Sequence, residues 1–351
     1  MLSYHVPGEK FQSGTRQEQA ITNDRVRPPE PISFVRSKRN TVTSQEPRNE
    51  SRPTSSASGW FDVDVSSVQR TSWLAIALVL ALVAAFNAVV NLVVFPSEAI
   101  LDGVFRPTAR ATLGLVRPTL LVNLVALVAF VWAVMFRGFG LEPLDVGLDR
   151  RDVARGIEIT VLLWIAIQVV GAVEQLATTG TVGVAGAWTS GRAGRRIGVF
   201  LAQAFGNALF EEVLYRGFLL TQVFLLLEGR MANPRRRLAT ALVGSQVIFA
   251  LFHLPNRLYQ GFEPGAIPGN LALVFVSGVL FALVYYRTGN LFVAIGVHAL
   301  GNAPLAVVAD TSFAAWLTNP AMVVLILAWR PIERWLRVLE DAIGWRGKFE
   351  S

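Results

Sequence analysis

The sequence predicts an all-α protein: a polytopic transmembrane helical bundle of about eight spans behind a disordered N-terminal tail. Three observations lead there. The 351 residues are 52% apolar and only 16% charged, whereas an ordinary soluble domain is about one-quarter charged. The apolar residues fall into repeated runs near the length a bilayer demands of a helix, about 20 residues. The first seventy residues, by contrast, are rich in Ser, Thr, Arg, Pro and Asn without sustained periodicity. Such a segment cannot bury enough apolar surface to offset its chain entropy.

Two domains follow, a polar tail over 1–70 and a membrane-embedded helical domain over 71–351. No apolar stretch lies near Met1, so the start does not read as a cleavable signal peptide. The first expected span is Trp73 to Phe95, the second Pro118 to Phe136 and the third Gly156 to Ala177. The fourth, Ile197 to Leu227, is long enough for a tilted span or a span plus an interfacial turn. Leu238 to His253 is a short fifth, and Pro255 is expected to end or kink it. Leu271 to Tyr286, Leu291 to Ala309 and Ala314 to Trp329 complete the set.

Charge placement gives an orientation. The formal net charge is +7, but the basic residues sit in the tail and between apolar runs. That distribution suits anionic lipid headgroups, not nucleic acid. With eight spans, the loops and C-terminal tail on the side of both termini carry 14 Lys and Arg and the opposite loops 7. The positive-inside rule then places both termini in the cytoplasm, across a cell membrane. The chain has no cysteine, which excludes disulfides, thiolate metal sites, a cysteine nucleophile and lipidation of its own C-terminus.

Within the fourth run lie Glu211, Glu212 and Arg216. Ionised side chains at bilayer depth are costly unless paired or used. Glu212 and Arg216 are four residues apart and share a helix face, so they can form an ion pair. Glu211 points about 100° away and has no partner in its own helix. One acid is neutralised and the other is available as a base.

The chain has three histidines, His5 in the tail, His253 and His298. Phe249 lies four residues before His253, where it could wall the imidazole from water, although on its own it reads as ordinary packing. His298 and Asn302 repeat the spacing with a polar pair, which suits either an inter-helix hydrogen bond or donors to a developing oxyanion. Gly296, Gly301, Ala294 and Ala299 would let a neighbouring helix approach closely. The inventory fits water activation for hydrolysis of an acyl bond. Glu211, His253 and His298 could equally form an open zinc site with water as fourth ligand, and the residues alone do not choose between the two.

In this order inside apolar helices, Glu211-Glu212-x-x-x-Arg216, Phe249-x-x-x-His253 and His298-x-x-x-Asn302 resemble the CPBP family. This is the group of type II CAAX prenyl endopeptidases and Abi-type intramembrane proteases. The resemblance covers roughly 141–329. It implies a helical core with its site in a cavity inside the bilayer, acting on a membrane-associated or prenylated peptide. By that resemblance Glu211 is the general base and His253 helps it position water. Glu212 and Arg216 hold the base, and His298 with Asn302 form the oxyanion hole. Metal-dependent and metal-free mechanisms are both implied by the family, and the identity of the substrate is not. Two other readings stand beside it: a non-proteolytic scaffold or bacteriocin-immunity-type protein of the same fold, and a transporter or proton relay. The second lacks the internal repeat such proteins often show.

Overall fold

Ser72 marks the entry into the first span. Its hydroxyl accepts from the Ala75 amide at 3.1 Å, and helix α1 follows over Trp73–Val94. The computed structural model describes residues 65, 67–308 and 316–342. The expected disordered tail lies outside these residues except for its last few, as do His5, Ala309 and Ala314. The further helices are α2 (Pro118–Gly138), α3 (Arg150–Thr179), α4 (Ala193–Leu226), α5 (Pro234–Tyr259), α6 (Pro264–Thr288), α7 (Leu291–Asn302) and α8 (Thr318–Ala342). The described residues contain no β-strand, only an isolated antiparallel bridge between Val184 and Val308.

Helices α1 to α6 are long and apolar enough to cross a membrane, and α7 is a shorter apolar helix. The eighth expected run lies in α8, which loses helical geometry at Ala328, three residues before Pro331. Proline removes a hydrogen bond and clashes with the preceding turn. The clearest boundary difference is in α5. Its apolar run starts at Leu238, but the helix starts at Pro234 because Asn233 caps the amides of Arg235 and Arg236. Three arginines thus extend a helix whose apolar part alone is short. At its other end α5 is interrupted at Phe252–His253, between Pro234–Leu251 and Leu254–Tyr259. Pro255 stands just inside the second piece, as its sequence position requires.

Helix α4 is the centre of the bundle. Every residue from Glu212 to Gln222 is buried, the mark of a helix packed on all sides. The backbone widens to π-helical turns over Gln203–Asn207 and Glu212–Leu220, and such widened turns recur at functional sites. Glycine lets three approaches close. A Cβ on Gly217 would lie 2.1 Å from the Val146 carbonyl oxygen, one on Gly156 2.3 Å from Phe292 Cβ, and one on Gly296 1.7 Å from Thr160 Oγ1. The last two press α7 against α3, so Gly296 plays the close-packing part expected of it.

These contacts also remove a difficulty of depth. Counting from loop ends, His253 lies far along α5 while His298 is only seven residues into α7. Leu291, where α7 begins, and Gly217 of α4 share a neighbour, however. The Val146–Gly147 backbone touches Gly217 on one side, and Gly147 lies beside Leu291 on the other. Glu211 is six residues from Gly217 and His298 seven from Leu291, or about 9 Å and 10 Å at helical rise. Glu211 and His298 therefore stand level, and His253 reaches the same carboxylate at 3.9 Å.

Candidate active site

The innermost layer is the ion pair of α4. Arg216 and Glu212 are both fully buried and 3.1 Å apart. The guanidinium also donates to the Gly278 carbonyl of α6 at 3.1 Å. It lies 4.3 Å from the centre of the Phe249 ring and 5.5 Å from that of Phe281. A desolvated guanidinium over aromatic faces is held by the ring quadrupoles as well as by its counter-ion. Arg216 thus ties α4 to α5 and α6, and it fixes Glu212. Glu212 in turn accepts from His298 Nδ1 at 2.7 Å, while Phe281 stacks on the imidazole at 4.4 Å and 18°. His298 is consequently fixed in position and in plane.

The outer layer is Glu211 with two imidazoles. His253 stands at the break in α5, where its Nδ1 donates to the Phe249 carbonyl at 2.8 Å. Its ring meets Phe249 edge-on at 4.7 Å. A carbonyl only accepts, so the Nδ1 proton is assigned by its partner and Nε2 is the bare nitrogen of the neutral ring. Glu212 does the same for His298. Both Nε2 atoms face Glu211, His253 at 3.9 Å and His298 at 3.6 Å. The separations exceed a direct hydrogen bond. They suit a small donor shared among a carboxylate and two imidazole nitrogens. Glu211 and His253 keep some exposure, 14% and 20% of their side chains, whereas Glu212 and Arg216 have none. The site is therefore open on the Glu211–His253 side and closed behind.

Residues 193–304 match the family model described as type II CAAX prenyl endopeptidase Rce1-like. No curated protein and no solved structure matches the chain. The Rce1-like segment takes in α4 to α7 and contains all six residues singled out from the sequence, Glu211, Glu212, Arg216, His253, His298 and Asn302. With six helices of spanning length, the chain is an integral membrane protein.

Five of those six residues form one continuous cluster. The side chain of the sixth makes no hydrogen bond to the other five: the Asn302 amide donates to Gln203 Oε1 at 3.0 Å, on α4 and eight residues before Glu211. His298 and Asn302 share a helix face as expected, but their hydrogen bonds run to different levels of α4. Three neighbours of this cluster carried no signal of their own. Gln203, Phe281 and Gly278 are an amide, an apolar side chain and a backbone carbonyl, and only the fold shows what they touch. The expected pairing of Phe249 with His253 holds, through the ring and also through the carbonyl.

A zinc ion would call on Glu211, His253 and His298. Their chemistry suits it, since each imidazole has Nδ1 engaged by an acceptor, the outer-shell arrangement common to zinc histidines. Their spacing does not: among the described residues, no three His, Cys, Asp or Glu side chains converge in a geometry that could hold a metal ion. The arrangement does not fit a resident metal, and the chemistry below is built from the side chains.

Proposed function

We propose that this protein is an intramembrane endopeptidase of the CAAX type, hydrolysing a peptide bond near the membrane surface of a membrane-associated or prenylated substrate. One observation carries the reading. Glu211 Oε1 and Oε2 face the bare nitrogens of His253 and His298 at 3.9 and 3.6 Å, so three acceptors converge where water can supply the protons. Water held there meets Glu211 as general base. Its oxygen adds to the scissile carbonyl as its proton passes to Glu211. Glu211 then delivers that proton to the leaving nitrogen as the carbon–nitrogen bond breaks, and water's second proton, left on the new carboxylic acid, passes to the amine to give a carboxylate and an ammonium. His253 positions the water through Nε2.

His298, when protonated on both nitrogens, donates from Nε2 to the oxyanion while Nδ1 stays on Glu212. Asn302 is the second oxyanion donor: one amide proton is engaged by Gln203 and the other is available to substrate. Glu212 and Arg216 keep this frame rigid. The same reading places the protein in the cell membrane with both termini cytoplasmic, in keeping with the distribution of Arg and Lys.

The test is cleavage by detergent-purified protein of a prenylated CAAX-type peptide and of a panel of membrane-associated peptides, followed by mass spectrometry. The parent is expected to produce defined fragments, and Glu211→Gln none while melting at the same temperature. Retained cleavage in Glu211→Gln, or no cleavage of any peptide by a folded parent, would overturn the proposal.

A further inference from the structure

The break in α5 presents a problem that the Rce1-like segment does not solve by itself. At Phe252–His253 the helix stops, and the carbonyls of its last turn lose their regular partners. In a bilayer such groups must be satisfied by protein. His253 Nδ1 takes the Phe249 carbonyl, and the Arg257 amide takes that of His253 at 3.0 Å. The Phe252 carbonyl, immediately before the histidine, accepts from Asn87 Nδ2 of α1. Helix α1 lies outside the matched residues.

Asn87 is the first of three evenly spaced contacts. Asn91, one turn on, donates to Asn87 Oδ1 at 2.6 Å and accepts from Asn256 Nδ2 at 3.0 Å. Phe95, one turn further, meets Tyr259 ring to ring at 5.7 Å. Asn87 and Asn91 of α1 and Phe95 at its C-terminal cap therefore face Phe252, Asn256 and Tyr259, so the register of one helix is laid along the other. The row is extended inward, because Asn256 Oδ1 accepts from Arg257 NH1 at 2.6 Å and Arg257 Nε donates to Asn270 of α6. Asn91, Asn256 and Arg257 are all buried. Asn87, Asn91 and Asn256 each both donate and accept, so displacing one frees the polar groups of the next.

We propose that Asn87, backed by Asn91, is the positioning residue for His253: it fixes the Phe252 carbonyl and with it the turn that aims His253 Nε2 at Glu211. The first span is then part of the active-site frame rather than a membrane anchor alone. The inference deepens the hydrolytic reading above and rests on it for the part that concerns rate.

The chain offers a direct probe, since it has only three histidines. Nitrogen NMR of protein labelled with 15N-histidine, assigned with His253→Gln and His298→Gln, reports the tautomer of each ring. In the parent, His253 is expected as the Nδ1–H form. Asn87→Ala should shift the His253 signals toward averaged tautomers and leave those of His298 in place. It should lower kcat about 100-fold, the order expected when a reacting group moves by about 1 Å, with KM unchanged. Asn87→Gln, which keeps a donor, should recover part of both. If Asn87→Ala does not fold, Asn91→Ala one link away serves in its place, with the same expected directions. Unchanged His253 signals in a folded variant would overturn the proposal whatever the activity. Shifted signals with parental kcat would overturn the catalytic part, provided Glu211→Gln is inactive. Activity in Glu211→Gln would instead count against the hydrolytic reading and leave the NMR result to judge the positioning.

Discussion

Removing Arg216 isolates the energetics of the buried frame. In Arg216→Ala, Glu212 stays fully buried with its counter-ion gone. At 3.1 Å the pair attraction is about 5 kcal/mol at an effective dielectric of about 20. Glu212 keeps its hydrogen bond from His298, which offsets part of that loss. The bond to the Gly278 carbonyl and the contacts with Phe249 and Phe281 go as well. Breaking a buried pair by removing one partner costs about 3–5 kcal/mol, and the single variant is expected in that range. Replacing both members is different, because the desolvation cost of both charges also disappears. Glu212→Gln with Arg216→Met should therefore lose much less than the sum of the single variants. Thermal unfolding in detergent, arranged as a double-mutant cycle, reads the coupling. A loss below about 1 kcal/mol in Arg216→Ala, or a double variant that loses the full sum, would refute the reasoning. Activity should fall in every member of the cycle, since Glu212 orients His298.

Other expectations follow from single contacts. Gly217→Ala drives a Cβ to within 2.1 Å of the Val146 carbonyl oxygen and should cost about 1–3 kcal/mol by overpacking, whereas Gly244→Ala meets no atom within 4 Å and should be neutral or stabilising by up to about 1 kcal/mol; the same unfolding assay compares them. Glu228 lies beyond the end of α4, and its carboxylate is held below the ordinary range, first by the hydrogen bond from Arg70 and then by Arg237. A depressed carboxylate stabilises above its unfolded pKa, about 4.3, and that contribution is lost as pH falls through the lower folded value; Glu228→Gln should remove this acid-dependent part of the melting curve, and an unchanged acid limb would contradict it. Gln203→Leu deprives Asn302 of its acceptor and should lower kcat about 10-fold or more with little change in KM, since the loss falls on a group that acts in the transition state; a change in KM alone would show that the amide binds substrate rather than the oxyanion.

The positions of the helices were legible because bilayer length and apolar composition act through the sequence alone. Trp73 to Phe95 and Pro118 to Phe136 differ from α1 and α2 by at most two residues. The start of α5 was not legible, since Arg235, Arg236 and Arg237 look like a loop to any reading of hydropathy, and only the Asn233 cap shows the helix beginning there. The Glu212–Arg216 pair could be anticipated from helical spacing, because both partners belong to one helix. What joins different helices could not. That Glu212 takes His298, and that Glu211 stands between two imidazoles, depends on how α4, α5 and α7 pack, which no periodicity encodes; only the inventory of side chains and the resemblance of the motifs grouped Glu211 with the histidines. Asn87 and Asn91 carried no reading in the sequence, where Trp73 to Phe95 counted only as an apolar span. Their partner could not be named, because the Phe252 carbonyl becomes an acceptor in need only once α5 stops. The break at His253 thus links both ends of the chain's logic. It exposes the imidazole to Glu211, and the carbonyl it frees is held by the first helix. A site built on such a break must recruit support from outside its own segment, which is why the matched residues alone do not account for its geometry.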